Sequence, residues 1–167
     1  MNNLIGIGFW YDDPMDRIRE QFKHFDKFSY RRVIEKYRRK YKDAMIIRPS
    51  DLATIRDWYK DKDKQRIIDY LDSGKTLSSY FGRSECRICK QHLGSSDLSD
   101  GVYLWPEKFS HYIKEHEIIL PDWFIEHIKK NEYKIPEFEQ TQSGNYNEKK
   151  WIDWYLYKRN GEQKKTT

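Results

Sequence analysis

Apolar residues recur at helical spacing through the first half of the chain, after one short uninterrupted apolar run. The run from Leu4 to Trp10 predicts a buried strand. Asp13-Pro14 predicts a helix start, because Asp caps free backbone amides and Pro suits the first helical position. The apolar spacing predicts three more helices. The first of these starts near Ser29. The second starts at Ser50 and carries Leu52, Ile55, Trp58 and Tyr59. The third runs through Ile67 and Leu71 to a stop at Gly74.

The second half of the chain shows less periodicity and more turn residues. Gly82 to Asp100 is predicted to be a knuckle and loop, followed by a short strand at Val102 to Trp105. Pro106 favours a helix that carries His111 and His116, and Leu120-Pro121-Asp122 starts another. The pattern then predicts an exposed loop at Gln140 to Asn147 and leaves Trp151 to Tyr157 open as strand or helix.

Composition limits the class of protein. Aromatic residues make up 16% of the 167 positions and must supply much of the buried area, because 35% of the residues are charged. The net charge of +5 is uneven: Arg17 to Arg48 contains 12 basic and 4 acidic residues, whereas Cys86 to the end contains 13 of each. With no signal peptide and no apolar run of membrane length, we expect a cytoplasmic protein with no membrane partner.

Four residues have the types and end spacings of a structural zinc site. Cys86 and Cys89, the only two cysteines, form a Cys-x2-Cys knuckle, and His111 and His116 form a His-x4-His pair after 21 intervening residues. Residues five apart lie about 140° apart around an unbroken helix. We therefore expect His116 to lie at or beyond the end of a helix. His92 is the alternative metal ligand and could replace either His111 or His116.

The alternatives to a structural zinc site have less support in the sequence. One alternative is that the two thiols are small buried apolar groups without a metal. Another is a redox Cys-x2-Cys motif, which would need a strand-to-helix context that is missing here. Two Cys and two His saturate zinc and leave no open position for a substrate. A hydrolytic site would also need a water-activating Glu beside the metal, which requires Glu107 or Glu115 to turn inward. An HNH-type nuclease would need a His-His or Asp-His pair where Leu104-Trp105-Pro106 stands. Ser73-Gly74-Lys75-Thr76 lacks the earlier glycine of a phosphate-binding loop.

A signature extends over about 50 residues around the predicted site. It comprises Cys86-Arg87-Ile88-Cys89, Asp100-Gly101 with Trp105-Pro106, His111-Tyr112 to His116, and Leu120-Pro121 to His127. It resembles a family of small uncharacterised bacterial proteins. The resemblance implies a bacterial cytoplasmic protein and no catalytic residue. Lys90 stands where the family has glycine, a departure that concerns only the turn after the knuckle.

These patterns predict an α+β fold: a mostly helical N-terminal region at 1–80 packed on a treble-clef-like zinc module at 81–135, with a C-terminal extension at 136–167, or one domain throughout. The preferred function is a non-enzymatic, zinc-stabilised protein that binds a protein partner as an adaptor, inhibitor or toxin-neutralising protein. A metal-dependent hydrolase or nuclease is the third hypothesis.

The second hypothesis is nucleic-acid binding by the basic helices, in which zinc only braces the fold. Its candidate contacts are Arg31, Arg32, Arg38, Arg39 and Lys40. The nearby tyrosines, among them Tyr37 and Tyr41, are predicted either to stack on bases or, because they align with Val33 and Ile34, to pack inward.

Overall fold

Helices and strands are mixed along the chain in the computed structural model, which describes residues 3–53, 58–139 and 145–163. The α-helices are α1 (Pro14–Phe22), α2 (Lys27–Lys40), α3 (Lys64–Asp72), α4 (Ser110–His116), α5 (Asp122–Lys130) and α6 (Lys149–Gln163). The strands are β1 (Leu4–Gly6), β2 (Lys75–Ser79), β3 (Ser96–Ser99), β4 (Tyr103–Pro106) and β5 (Tyr146–Asn147). Among the helices in these ranges, none is both long and apolar enough to cross a membrane.

The five strands form one mixed sheet in the order β2-β3-β4-β1-β5. β2, β3 and β4 pair antiparallel, and β1 is parallel to both β4 and β5. The turn between β3 and β4 is built by Asp100, whose Oδ1 accepts the backbone N–H groups of Val102 and Tyr103 at 2.9 and 2.7 Å. Gly101 follows with a φ of +89°, a conformation that favours glycine. The turn is therefore specified by its own residues.

The chain divides into two compact units. One comprises Met1–Phe9 with Pro49–Thr167, and the other is Trp10–Arg48. The boundaries predicted at residues 80 and 135 do not coincide with this division. β2 pairs with β3 across the first boundary, and the C-terminal β5 pairs with the N-terminal β1.

Aromatic rings fill much of the core of the larger unit, as the composition predicts. Its largest fully buried side chains include Trp105, Trp151, Tyr155 and Phe109. The buried indole N–H groups of Trp105 and Trp151 donate to backbone carbonyls at 3.0 and 3.2 Å, so that these rings are buried without an unpaired donor. The segment from Trp151 to Tyr157, which the sequence pattern allows as either strand or helix, belongs to α6. It packs against the rest of this chain through the buried rings of Trp151 and Tyr155.

The smaller unit is a pair of helices around its own apolar cluster. Asp13 caps α1 by accepting the N–H of Met15 at 2.8 Å, which confirms the predicted helix start. Asp26 caps α2 by accepting two backbone N–H groups, so this helix begins two residues before the predicted Ser29. Met15, Ile18 and Ile34 are buried between the helices, with half-buried rings packed around them.

Three predictions of local structure differ from the observed elements. In the described part of the helix predicted from Ser50, Pro49–Leu52 forms a 3-10 turn, and the Leu52 carbonyl accepts the distant Ile119 N–H at 3.2 Å. Its predicted residue Ile55 lies outside the described residues. β3 and β5 lie in segments predicted to be loops, and β2 follows a predicted helix stop. These strands are short and obtain their partners from distant segments, which local periodicity does not reveal.

Candidate metal centre

The first half of the centre is a tight turn that carries both cysteines. Backbone bonds from Cys86 N–H to the Gln91 carbonyl (2.8 Å) and from Lys90 N–H to the Cys86 carbonyl (3.0 Å) close the turn. The N–H of Ile88 points at the Cys86 sulfur, 3.4 Å away. A backbone N–H aimed at the sulfur stabilises a thiolate, the form that binds metals. The predicted knuckle is present.

The second half of the centre is α4, which carries both histidines. His111 lies in its first turn, and His116 is its last residue. Glu117 follows in the left-handed conformation with a φ of +51°, and its N–H and that of Ile118 both bond to the Tyr112 carbonyl. The helix therefore ends where the five-residue spacing predicts, which leaves His116 free to turn toward His111.

A hydrogen bond joins the knuckle to α4. The Tyr112 hydroxyl accepts the backbone N–H of Arg87 at 2.9 Å, in the middle of the Cys-x2-Cys turn. Burial raises the pKa of Tyr112 above its usual 10.0, so this hydroxyl stays protonated. The sequence analysis missed this positioning residue, although it lies directly beside His111.

The four predicted ligands come together at one point. Their ligand atoms all lie within 4.8 Å of one another. The Cys86 sulfur is 3.2 Å from His116 Nε2, and the Cys89 sulfur is 3.3 Å from His111 Nε2. A tetrahedral ion with metal–sulfur bonds of about 2.3 Å and metal–nitrogen bonds of about 2.0 Å separates its ligand atoms by roughly 3.3 to 3.8 Å. The cluster is therefore the right size to hold a metal ion.

The protonation state of His111 also suits a metal ligand. Burial, followed by the nearby His116 ring, lowers the pKa of His111 below its usual 6.5. Neutral imidazole is the form that binds metals, so the folded chain favours the ligand form of this residue at neutral pH. Cys86 is buried and Cys89 is exposed, so the centre lies at the protein surface with one sulfur facing solvent.

Lys90, which directly follows Cys89 in the turn, has a φ of +63°. This left-handed conformation costs a side-chain-bearing residue about 1 to 2 kcal/mol, partly offset by the greater freedom of glycine in the unfolded chain. We expect Lys90→Gly to leave metal binding intact and to raise the free energy of unfolding by up to about 1 kcal/mol. Urea denaturation measures the change in the free energy of unfolding. The control is Gln91→Gly, a variant of the exposed neighbouring residue. Equal destabilisation by the two variants would contradict the proposed strain.

The remaining predicted histidines have other roles. His92 is exposed, lies on the hairpin after the knuckle and has Nδ1 3.7 Å from a Glu85 carboxylate oxygen, so it does not belong to the cluster. His127 Nε2 lies 2.9 Å from Asp100 Oδ2 and 3.0 Å from Asn131 Nδ2. His127 is therefore held by side chains of the fold and lies outside the ligand cluster.

Asp100 is the centre of a buried polar network that the sequence analysis missed. Its side chain is fully buried, and besides the two turn amides it accepts the Tyr70 hydroxyl at 2.7 Å. Burial raises the pKa of Asp100, but the bonds from His127, Tyr103 N–H and Tyr70 outweigh burial and lower it below 3.8. The carboxylate is therefore ionised and ties α3 and α5 to the turn before β4. The sequence marks only the Asp-Gly turn and gives no signal for the partners of Asp100 on α3 and α5.

The two glutamates that a hydrolytic site would need are placed differently. The Glu107 carboxylate accepts the N–H groups of Ser95 and Ser96 at 2.9 and 3.2 Å and lies directly against Gly94, where a side chain would collide with it. Glu115 is exposed and 3.8 Å from Lys114. Both line a cavity of about 540 Å³ beside His111, yet among the described residues the metal-ligand cluster contains only the two cysteines and two histidines.

The five basic candidates on α2 are all exposed, but they differ in their contacts. Arg31 lies 3.6 Å from Glu35, Lys40 lies over the rings of Tyr37 and Tyr41, and Arg32 lies over the ring of Phe28. Arg38 and Arg39 complete the set. The three tyrosines of the stretch, Tyr30, Tyr37 and Tyr41, pack against the apolar cluster of the helix pair. The inward-packing alternative therefore holds for the tyrosines.

Comparison with known proteins gave no matching family model, no similar curated protein and no similar solved structure. The family resemblance of the sequence thus stays a prediction, and the function is argued from the geometry of the chain.

Proposed function

We propose that the chain is a non-enzymatic protein that binds a macromolecular partner and is stabilised by one structural zinc ion. The observation that carries the proposal is the convergence of Cys86, Cys89, His111 and His116 within 4.8 Å. Two thiolates and two imidazoles in a tetrahedral arrangement suit zinc better than calcium, magnesium or manganese, which prefer oxygen ligands.

A structural role for the ion follows from the number of ligands. Four protein ligands fill a tetrahedral zinc ion and leave no position for a water or a substrate, whereas catalytic zinc sites keep one position open. Glu107 is engaged with backbone amides and Glu115 faces solvent, so neither supports the hydrolase hypothesis. A knuckle, the β3-β4 hairpin and α4 follow one another in the order of treble-clef folds, which supports that architecture by analogy.

The proposed partner in the first instance is a protein, bound in an adaptor, inhibitor or toxin-neutralising role in the bacterial cytoplasm. The supporting observation is the exposure of three large apolar side chains in and just before the knuckle. Phe81 is fully exposed, and Tyr80 and Ile88 are partly so. Aromatic residues are more frequent at protein–protein interfaces than on the rest of the protein surface.

A nucleic acid is the second candidate partner, supported by the segregation of charge. Residues 10–48 carry 12 basic and 7 acidic residues, a balance of +5, which equals the net charge of the whole chain. The remaining residues carry 20 of each sign. One compact unit therefore carries all the net positive charge, the electrostatic pattern of nucleic-acid binders.

Affinity capture from the native host tests both candidates. The tagged, metal-loaded chain is incubated with two halves of one lysate, of which one is treated with nuclease. A protein retained in both halves, and lost with Cys86→Ser, supports the protein partner. Retention of RNA or DNA that nuclease abolishes supports the second candidate. Absence of any stoichiometric partner in both halves contradicts the proposed binding function.

A further inference from the structure

The solvent-facing side of α2 has a composition of its own. Phe28, Arg32, Lys36 and Arg39 follow one another at spacings of four, four and three residues, which places them on one face of the helix. We refer to these four residues as the outward face of α2. All four are exposed, and Phe28 reaches an exposed fraction of 70%.

The opposite side of α2 is committed to packing. Tyr30, Ile34, Tyr37 and Tyr41 recur at spacings of four, three and four residues and contact the apolar cluster of the helix pair. These rings are therefore unsuited to bind a ligand. Phe28 remains the aromatic group of this helix that is open to solvent, and neither the fold nor the metal centre explains its exposure.

The outward face combines an aromatic ring with cations that have no carboxylate partner. The Arg32 guanidinium lies over the Phe28 ring, 5.7 Å from its centre. Within the described ranges, none of Arg32, Lys36 and Arg39 forms an ion pair. The exposed Glu35 lies on the same side of the helix as these cations and pairs with Arg31 at 3.6 Å. An exposed ring beside a row of cations is the arrangement with which proteins stack unpaired bases and neutralise phosphates.

We propose that the outward face of α2 binds single-stranded nucleic acid, with Phe28 stacking on a base and Arg32, Lys36 and Arg39 contacting consecutive phosphates. This proposal rests on the second candidate function and specifies its surface and its ligand. Sequence analysis pointed to Arg32 and Arg39 but missed Phe28 and Lys36. Their signal was present in the two successive spacings of four residues, from Phe28 to Arg32 and from Arg32 to Lys36.

Fluorescence anisotropy with the full, metal-loaded chain tests the proposal. The probes are a labelled oligo(dT) of about 15 nucleotides, a duplex of the same length and poly-glutamate. The test variant carries Arg32→Glu, Lys36→Glu and Arg39→Glu. Its control carries Lys129→Glu, Lys130→Glu and Lys134→Glu, which are exposed on and after α5 and give the same change in net charge. Circular dichroism checks that both variants keep their helices.

We expect wild type to bind the single strand with an affinity that falls steeply between about 50 and 200 mM salt. The test variant should reduce the log-log salt slope by about 2, since each phosphate contact contributes about 0.7 for single strands, and the control should leave it near the wild-type value. An equal loss with both variants, or none with the test variant, overturns the assigned face while leaving nucleic-acid binding in place.

Phe28→Ala separates stacking from charge. We expect it to weaken oligo(dT) binding about 5- to 100-fold without changing the salt slope, and to affect the duplex little. Tyr157→Ala, which removes a ring with an exposed fraction of 74% from α6, is the control and should have no effect. Equal losses on single strand and duplex overturn the stacking role. If the wild-type chain binds neither oligo(dT) nor the duplex at low salt, the second candidate function fails as a whole. If it binds poly-glutamate more tightly than oligo(dT), the outward face of α2 binds an acidic protein instead, and the proposal is overturned.

Discussion

Cys86→Ser is expected to abolish tight metal binding and to unfold the module around the knuckle. Structural zinc contributes on the order of 10 kcal/mol to the folding of small modules, which is comparable to the whole stability of a typical domain. Cys86 is also the buried thiol and anchors three of the knuckle's contacts, through its N–H, its carbonyl and its sulfur. The serine hydroxyl is not ionised at neutral pH and does not replace the thiolate as a ligand.

Competition with a chromophoric chelator measures the metal loss, and near-ultraviolet circular dichroism reports the packing of the surrounding rings. The control is His92→Ala, because His92 is exposed and outside the ligand cluster although it follows the knuckle directly. We expect the control to retain one metal ion per chain and the wild-type spectrum. Retention of the ion by Cys86→Ser, or its loss from His92→Ala, would be incompatible with the ligand set.

Asp97 within β3 and Asp100 directly after it are expected to respond differently to the same Asp→Asn substitution. Burial raises the pKa of Asp97 above 3.8 despite hydrogen bonds from Tyr80 and Ser78. For Asp100 the hydrogen bonds outweigh burial, and the pKa is lowered. Asp100→Asn should therefore lower the free energy of unfolding by about 2 to 4 kcal/mol, because the amide cannot accept the bonds from Tyr70 and His127 that the carboxylate accepts. Asp97→Asn should cause no loss.

Proton linkage determines how the stability contributed by each carboxylate depends on pH. The stability that Asp100 contributes is fully present above its unfolded-state value of 3.8 and is lost as pH falls through the lower folded-state pKa. The contribution of Asp97 is present below 3.8 and is lost as pH rises through its raised pKa. Urea denaturation of the metal-loaded variants at pH 7 therefore compares an ion that stabilises the fold with one that opposes it. Equal effects of the two substitutions would contradict the roles assigned to these carboxylates.

The convergence of the four candidate ligands was predictable from sequence because the spacing within each ligand pair is local. A Cys-x2-Cys spacing defines a knuckle, and the five-residue spacing of His111 and His116 required the helix end that Glu117 provides with its left-handed backbone. Helix starts marked by a capping Asp or by a Pro were predictable for the same reason. Asp13 and Pro121 mark helix starts close to the observed ones.

The sheet and the buried polar network were not predictable, because their partners lie far apart in sequence. Leu4 pairs with Tyr146, and Thr76 pairs with Leu98, in strands too short to show a reliable alternation. Asp100 obtains its partners from α3 and α5. Nothing in a single sequence relates a tyrosine thirty positions before the Asp-Gly turn to a histidine after it. The exposure of Phe28 similarly depends on which face of α2 the apolar cluster occupies.

The most direct test of the central claim is the metal content and ligand set of the protein purified without added metal. Elemental analysis combined with X-ray absorption at the zinc edge measures both. We predict one zinc ion per chain, bound by two sulfur atoms at about 2.3 Å and two nitrogen atoms at about 2.0 to 2.1 Å. Less than about half an equivalent of zinc, or a ligand shell with an oxygen in place of a sulfur or imidazole nitrogen, would contradict a closed structural site formed by Cys86, Cys89, His111 and His116.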